Sequence, residues 1–278
     1  MTKEDLNKIL EKHKLWLYGE EGGQRANFQD ADLKGIDFSD ADLRSANFKS
    51  ANLSNANFRG ANLIDAIFRS ADLTNANLKG ADIRGANLRK ANLNHADLTN
   101  ANLRYADLRG ADLSYATLKN TVFIDSDLRS ADFRYANLAE ANFINAYLCD
   151  ADFSSANLKD VYFCEADLTG ANLRDVDLRN ADLSYANLCE ADLKGAVLNN
   201  TNFKNTNIDF SCLPLWCGSL SAKFDDKQLA QIAYHLVRAG LNSENASIET
   251  KEELSKLIDF ANKCHRADEC GKILKEDA

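Results

Sequence analysis

The chain's richest set of metal-ligating and nucleophilic side chains lies near its C-terminal end, where Cys212, Cys217, His235, Cys264, His265 and Cys270 gather within one segment. Thiolate and imidazole are the ligands of zinc, and a structural zinc knuckle brings two cysteines together as C-x2-C. The spacings here are C-x4-C and C-x5-C, looser than that pattern. Small buried thiols in a helical cap are therefore the preferred reading, and a zinc-dependent activity seated in this segment is the alternative. Seven cysteines in all is an odd number without the spacing of a disulfide framework, which fits reduced thiols and a cytoplasmic setting. No nucleophile elbow, phosphate loop or zincin motif occurs. The many acids recur periodically, as they would on an exposed surface with no pocket to raise a carboxyl pKa. The chain is read as non-enzymatic, with no cofactor.

What positions most of the remaining side chains is a repeat. From Ala26 to Phe210 the sequence reads AxLxx thirty-seven times without a slip of register. The central position, from 28 through 33 and 38 to 208, is always Leu, Phe or Ile; the residue two before it is Ala in thirty units, and the residue one before it is Asn or Asp in thirty-one. A five-residue step turns about 140° around an α-helix and leaves no continuous apolar stripe. In a strand an odd period would send every second Leu into water. A chain that turns a corner once per pentapeptide points every central residue at a common axis. Phenylalanine indicates the number of corners: it occupies 28, 38, 48, 58 and 68, then 123, 133, 143, 153 and 163. Central Phe pairs recur at a separation of 20 and never at 15, so four pentapeptides complete one turn. Rings 20 apart would stack along the axis, rings 10 apart would face one another across it, and the second Phe block would be turned by one wall.

Runs such as ADLRGADLSYATL and ANLRYADLRGADL resemble the pentapeptide-repeat proteins. The resemblance implies an all-β solenoid, a right-handed quadrilateral parallel β-helix of about nine coils, with the central residue and the Ala inside and the other three residues outside. At about 4.8 Å per coil the rod would be roughly 43 Å long. Both open ends need covering, because exposed backbone invites edge pairing. Residues 1–25 supply an N-terminal cap: Thr2 and Asp5 form a capping-box-like start, and Leu6, Ile9, Leu10, His13 and Leu17 follow at helical spacing beside Trp16. The lead-in HKLWLYGEEGGQRANF resembles that of some bacterial members of the family. His13 and Trp16 are read as packed cap residues in preference to a ligand pair. Residues 211–278 form the C-terminal cap. Beyond Pro214, the chain's one proline, residues 215–224 could extend the last coil. Two helices follow, one carrying Leu229, Ile232, Ala233, Leu236 and Val237 and the other Leu254, Leu257, Ile258 and Ala261. The family also includes members that pair end to end, so the chain is expected to be a monomer or an end-to-end homodimer.

Aligning outward positions every 20 residues gives the candidate binding residues. Lys49, Arg69, Arg89, Arg109 and Arg129 share one wall. They form either a solvated column relieved by Asp107, Asp127 and acids of the next wall, or a site for an anion or acidic partner, since Arg offers a planar fork to carboxylate or phosphate. His95, Tyr115 and Tyr135 align on another wall, as a ladder between coils or a docking stripe. Ile67, Val122, Tyr147, Tyr162 and Val197 replace the outward Asn or Asp, and Tyr147 and Tyr162 lie on adjoining walls of neighbouring coils, where they suggest a small sticky patch. Inside, Ile36, Val161 and Val176 should widen the coil locally, and Thr121, Ser126, Thr201 and Thr206 should carry satisfied hydroxyls.

Net charge is −9 and uneven: residues 26–120 carry twelve basic against eleven acidic residues, and residues 121–210 seven against fifteen. An acidic surface disfavours direct binding to nucleic acid and favours a basic protein partner. No apolar run reaches the roughly 20 residues of a membrane span. The function expected is that of a protein-binding or scaffold module presenting a rigid charged rod. The alternative comes from resemblance to the quinolone-resistance pentapeptide proteins, which act on DNA gyrase as mimics of duplex DNA. The acidic half fits that alternative, and the Arg column and the lack of a projecting loop within the repeat count against it.

Overall fold

The computed structural model describes residues 3–209, 211–212, 222–224, 228–230, 232–233, 251 and 255–258. Parallel bridges join each residue before a central position to the one 20 residues on, from Asn27↔Asn47 without interruption to Asn187↔Asn207 and on to Asp192↔Cys212. Every pentapeptide therefore lies on the fourth one after it, as the phenylalanine spacing predicts. The backbone accounts for itself in a fixed way, seen in the unit built on Phe48. Asn47 N–H donates to Ala26 O in the coil below, while Phe48 N–H and Ser50 N–H donate to Ile67 O and Arg69 O in the coil above. Ala51 N–H closes the corner on Phe48 O at 3.0 Å. The fifth donor, Lys49 N–H, goes to the side-chain Oδ1 of Asn47 at 3.1 Å.

That last bond gives the physical reason for Asn or Asp before the central residue. Only a short side chain with an acceptor at the γ branch can reach the N–H two residues on, the Asx-turn geometry. The same residues also link coils: Asn47 Nδ2 donates to Asn27 Oδ1 at 2.8 Å and Asn57 Nδ2 to Asp37 Oδ1 at 2.8 Å. The second corner residue takes the left-handed conformation, with φ near 57° at Asp30, Asp65 and Asp125, which is why Asn, Asp, Ser and Gly fill most of these positions.

Inside the coils, central residues from Phe28 to Leu198 and alanines from Ala46 to Ala196 are almost wholly buried, while Ala31 and Ala41 near the first coil are half-buried. Phe28, Phe48 and Phe68 stack at 5.0 and 4.9 Å, Phe38 and Phe58 stack at 5.0 Å, and the two columns meet edge to face at 5.7 to 5.8 Å. Offset and edge contacts of this kind add about 0.5 to 1.5 kcal/mol per pair beyond the buried area. The second block repeats the arrangement on the other two walls, with Phe143 between Phe123 and Phe163 at 4.7 and 5.0 Å. Inward hydroxyls are satisfied: Thr121, Thr201 and Thr206 donate to Leu98 O, Leu178 O and Leu183 O, and Ser126 to Phe123 O. Of the larger inward residues, Val161 and Val176 go with lengthened bonds, Val161 N–H and Asp177 N–H both at 3.3 Å, whereas Ile36 keeps ordinary ones at 3.1 and 2.9 Å and does not widen its coil. One expectation needs correction: Ser114 and Ser184 stand at outward positions yet are buried, because Asn94 folds over Ser114 and Ser184 tucks against Cys164.

Helix α1 (Lys3–Leu17) covers the first coil. Its start at Thr2 falls outside the described residues, but Glu4 and Asp5 in the first turn and Lys14 in the last complement the helix dipole. Leu6 joins the core of the rod, and Ile9 and Leu10 pack against it. The loop after α1 doubles back along the helix, with Glu20 N–H on Leu15 O and Gln24 N–H on Lys12 O. Gly23 is needed there, since a Cβ would stand 2.5 Å from Trp16 N.

At the other end, the repeat boundary at Phe210 and most of the expected helical hairpin fall outside the described residues. Lys223 pairs with Asn202, a step of 21, which places it on the same wall, and Phe224 stacks on Phe203 at 4.7 Å. Helical turns occur at 228–230 and 232–233. There the Gln228 amide donates to Phe203 O and Thr206 O, carbonyls at the top of the last coil. Ala230, Ala233 and Ile258 are buried, whereas Leu229 and Leu257, expected on the apolar faces, are exposed.

Candidate partner-binding surface

With the backbone donors of a regular unit committed, the outer walls offer side chains. The basic column is real as a row and uneven in charge. Arg109 forks onto Asp107 through Nε at 2.9 Å and Nη2 at 2.6 Å, and Arg129 forks onto Asp127 at 2.9 and 2.7 Å. Arg109 also reaches Asp127 in the next coil at 3.3 Å, and Arg89 lies 3.9 Å from Asp107. Burial by itself would raise the two carboxyl pKa values, but the Arg hydrogen bonds hold both below the usual carboxylate range. Lys49 and Arg69 stand beside Asn47 and Ile67, which bring no charge, and form no ion pair among the described residues. The relief comes from Asp107 and Asp127, as the sequence suggests, because the residue two before Arg109 and Arg129 shares its strand; no acid of the next wall pairs with the column among the described residues.

His95, Tyr115 and Tyr135 form a continuous stack, with centroids 5.1 and 4.9 Å apart. Their faces are spent on one another, leaving ring edges toward solvent although Tyr115 and Tyr135 are half exposed. That geometry is a ladder tying three coils together. In α1, His13 is fully buried, stacks on Trp16 at 5.5 Å, and accepts the Ala26 N–H on Nδ1 at 3.1 Å. Its Nε2 has no hydrogen-bond partner among the described residues. Desolvation lowers its pKa, opposed by Asp42 and aided by Arg25 and Arg44.

Tyr147 and Tyr162 are 55% and 49% exposed. Tyr162 belongs to a wider apolar surface on the wall built from strands 122–124, 142–144 and 162–164. Val122, Ile124, Ile144, Tyr162 and Cys164 fill five of the six outward strand positions there, with Asn142 the sixth. The aliphatic residues and Cys164 are half-buried. Ile124, Ile144 and Cys164 escaped the sequence reading because they follow the central residue, where many residue types occur; aligning that position every 20 residues would have exposed the column. Replacing Asx at 122, 147 and 162 also removes the side-chain acceptor for the N–H of Ile124, Cys149 and Cys164, forgoing about 0.5 to 1.5 kcal/mol at each site. Cys149, just across the corner, donates its thiol to Asp167 at 3.1 Å, and burial followed by that carboxylate pushes its pKa up to about 11.

No group of three or more His, Cys, Asp or Glu fit to hold a metal occurs among the described residues. Of the six soft ligands in the C-terminal segment only Cys212 is described; it is an exposed thiol, and its backbone pairs with Asp192. Cys217, His235, Cys264, His265 and Cys270 lie outside the described residues. No helix among the described residues is long and apolar enough to cross a membrane.

A parallel β-solenoid that stacks like pentapeptides and varies only its outward side chains defines a repeat protein. Family models agree: "Pentapeptide repeats", in eight copies, matches residues 24–60, 51–89, 156–195 and 181–213, and "Pentapeptide repeat region" matches 96–173. The chain belongs to the pentapeptide repeat family. Among solved structures it is similar to HetL, a pentapeptide repeat protein involved in heterocyst differentiation regulation from the cyanobacterium Nostoc sp. strain PCC 7120, at 28% identity over 72% of this chain and 92% of that one, with a TM-score of 0.45. It is also similar to QnrB1, a plasmid-mediated fluoroquinolone resistance protein, at 19% identity over 59% of this chain and 92% of that one, with a TM-score of 0.34. A thylakoid-lumen pentapeptide repeat protein of Arabidopsis thaliana gives 30% identity over 48% of this chain and 69% of that one, with a TM-score of 0.20. With all three TM-scores below 0.5, the family rests on the repeat models. No curated protein matches the chain.

Proposed function

We propose that the protein is a non-enzymatic binding rod that presents fixed columns of side chains to a protein partner in the cytoplasm. The observation that supports it most is the loss of the Asx rule at 122, 147 and 162, neighbouring sites where apolar and aromatic side chains stand outward at a cost in backbone satisfaction. The finer architecture belongs to the same reading: a right-handed quadrilateral helix of about nine coils, closed at both ends by helical caps. The 20-residue bridges, the buried face of α1 and the Gln228 contacts support it.

Affinity capture from the source cell with the full chain tests the reading. Specific retention of a protein is expected, lost either when the wall around Ile144 is altered or when Arg69, Arg89 and Arg109 are together replaced by Gln. Capture of nothing by the natural chain removes the reading. Mimicry of DNA toward gyrase is a second reading, favoured by the acid excess over 121–210. Its test is a supercoiling assay, in which no effect at micromolar protein removes it. The unbroken register from 27 to 207 supplies no projecting loop to aid such contact.

A further inference from the structure

We infer that the wall carrying Val122, Ile124, Ile144, Tyr162 and Cys164, extended across one corner by Tyr147, is the docking site for a basic amphipathic helix of a partner protein. The inference rests on the binding-rod reading and assigns its site and the chemistry of its ligand. The wall is the face of a parallel sheet whose backbone carbonyls are engaged: Phe123 N–H, Asp125 N–H, Phe143 N–H and Asn145 N–H bond Asn142 O, Ile144 O, Tyr162 O and Cys164 O. No strand edge is on offer, so a partner binds through side chains, and the helix-in-groove mode is the one that delivers a row of apolar anchors to such a face.

The dimensions agree. Ile124, Ile144 and Cys164 rise one above another, two coil steps of about 4.8 Å each, or roughly 10 Å from first to last. A helix lying parallel to the rod advances about 10.5 Å over seven residues, so apolar residues at i, i+3 or i+4, and i+7 meet the three in turn. Tyr162 and Tyr147 then border the helix with ring surface, the residue type that anchors interfaces.

Charge selects the sign of the partner. Lys119 and Lys159 sit at one margin but are tied to Glu140 and Asp160 at 3.2 and 3.7 Å. At the opposite corner Asp125 and Glu165 stand two coils apart with no cation bound to either among the described residues. An apolar wall beside unpaired carboxylates fits a helix with Lys or Arg flanking its apolar stripe, and like charges set a second copy of this chain against itself.

Fluorescence anisotropy with the full chain provides the test. The probe is a labelled Leu/Lys amphipathic helix of about 14 residues; the controls are the same composition scrambled to destroy the apolar stripe and a Leu/Glu analogue. Binding by the Leu/Lys helix at least about tenfold tighter than by either control is expected. The Ile124→Ser/Ile144→Asn variant should weaken it about tenfold while the chain stays folded by circular dichroism at the assay temperature, and Asp125→Asn/Glu165→Gln should weaken it about threefold and flatten its salt dependence. Equal binding of the scrambled peptide, or undiminished binding by the Ile variant, overturns the proposal. So does concentration-dependent dimerisation in sedimentation that the Ile variant abolishes, because the occupant would then be a second copy. If the peptide fails while cellular capture depends on Arg69, Arg89 and Arg109, the rod still binds a partner and this site is wrong. If capture also fails, both readings fall.

Discussion

The Asx rule can be tested on a single wall by breaking it once and mending it once. Asn102 and Val122 are vertical neighbours. Asn102 Oδ1 accepts the Arg104 N–H at 3.3 Å, whereas the Ile124 N–H above it meets a valine that has no acceptor. Asn102→Ala removes one bond of a class worth about 0.5 to 1.5 kcal/mol net. Val122→Asn should install the same bond. The new amide also stands in line with Asn102 and Asn142, as Asn57 stands between Asp37 and Asn77, where Nδ2 donates to the coil below at 2.8 Å and Oδ1 accepts from the coil above at 3.0 Å. Against this gain stands the half-buried isopropyl group, part of whose packing against the wall is lost. A net stabilisation of about 0.5 to 1 kcal/mol is expected for Val122→Asn and a destabilisation of about 1 kcal/mol for Asn102→Ala. For a cooperative unit of this size that corresponds to melting shifts of roughly +2 and −3 °C. Urea unfolding followed by circular dichroism, compared through midpoints because long repeat arrays depart from two-state behaviour, measures both. If Val122→Asn lowers the midpoint, or Asn102→Ala leaves it in place, the pattern of Asn and Asp has some other origin. The stabilised variant should also bind the Leu/Lys helix less well, since it gives polarity to the docking wall.

Two further outcomes follow from α1 and the core. Because burial lowers the His13 pKa in the folded chain, the unfolded state binds the proton more readily; the contribution of His13 is complete above about pH 6.5 and is lost as pH falls below it. Protonation also removes the Nδ1 lone pair that holds Ala26 N–H. Midpoints of unfolding at about pH 7.5 and 5.5 should therefore differ, and His13→Phe should remove that part of the difference; an unchanged slope in the variant assigns it to other groups. Phe143→Ala empties a site touched by four rings, Phe123, Phe133, Phe153 and Phe163, and should cost about 3 to 5 kcal/mol in urea titration, with a loss under about 1 kcal/mol refuting the tight packing of the aromatic columns.

Sequence reading located the coil but not the use of its surface. Phe28, Phe48 and Phe68 disclose the 20-residue turn because rings that stack must recur at its period. The candidate site was only half legible. Tyr147 and Tyr162 stand out by breaking a pattern, whereas Ile124, Ile144 and Cys164 sit at a position with no rule to break, so their alignment is visible only once the coil length is known. The Arg column was legible as a row and in two partners, Asp107 and Asp127, whereas the absence of a pairing with acids of the next wall among the described residues was not, since whether a guanidinium turns to its own strand or a neighbouring wall depends on side-chain geometry.

The period, the inward turn of the central residues and the number of sides are properties of the sequence alone, because a rigid five-residue register leaves one way to bury every central residue. Tertiary structure decided which columns are neutralised, that His95, Tyr115 and Tyr135 spend their faces on one another, and that Val122, Ile124, Ile144, Tyr162 and Cys164 share one wall. Those outcomes depend on contacts across 20 residues, where stacking brings together side chains that have no local influence on each other. The spare N–H of each corner stands between the two: Asn and Asp are plain in the sequence, and only the folded coil shows the donor they exist to satisfy.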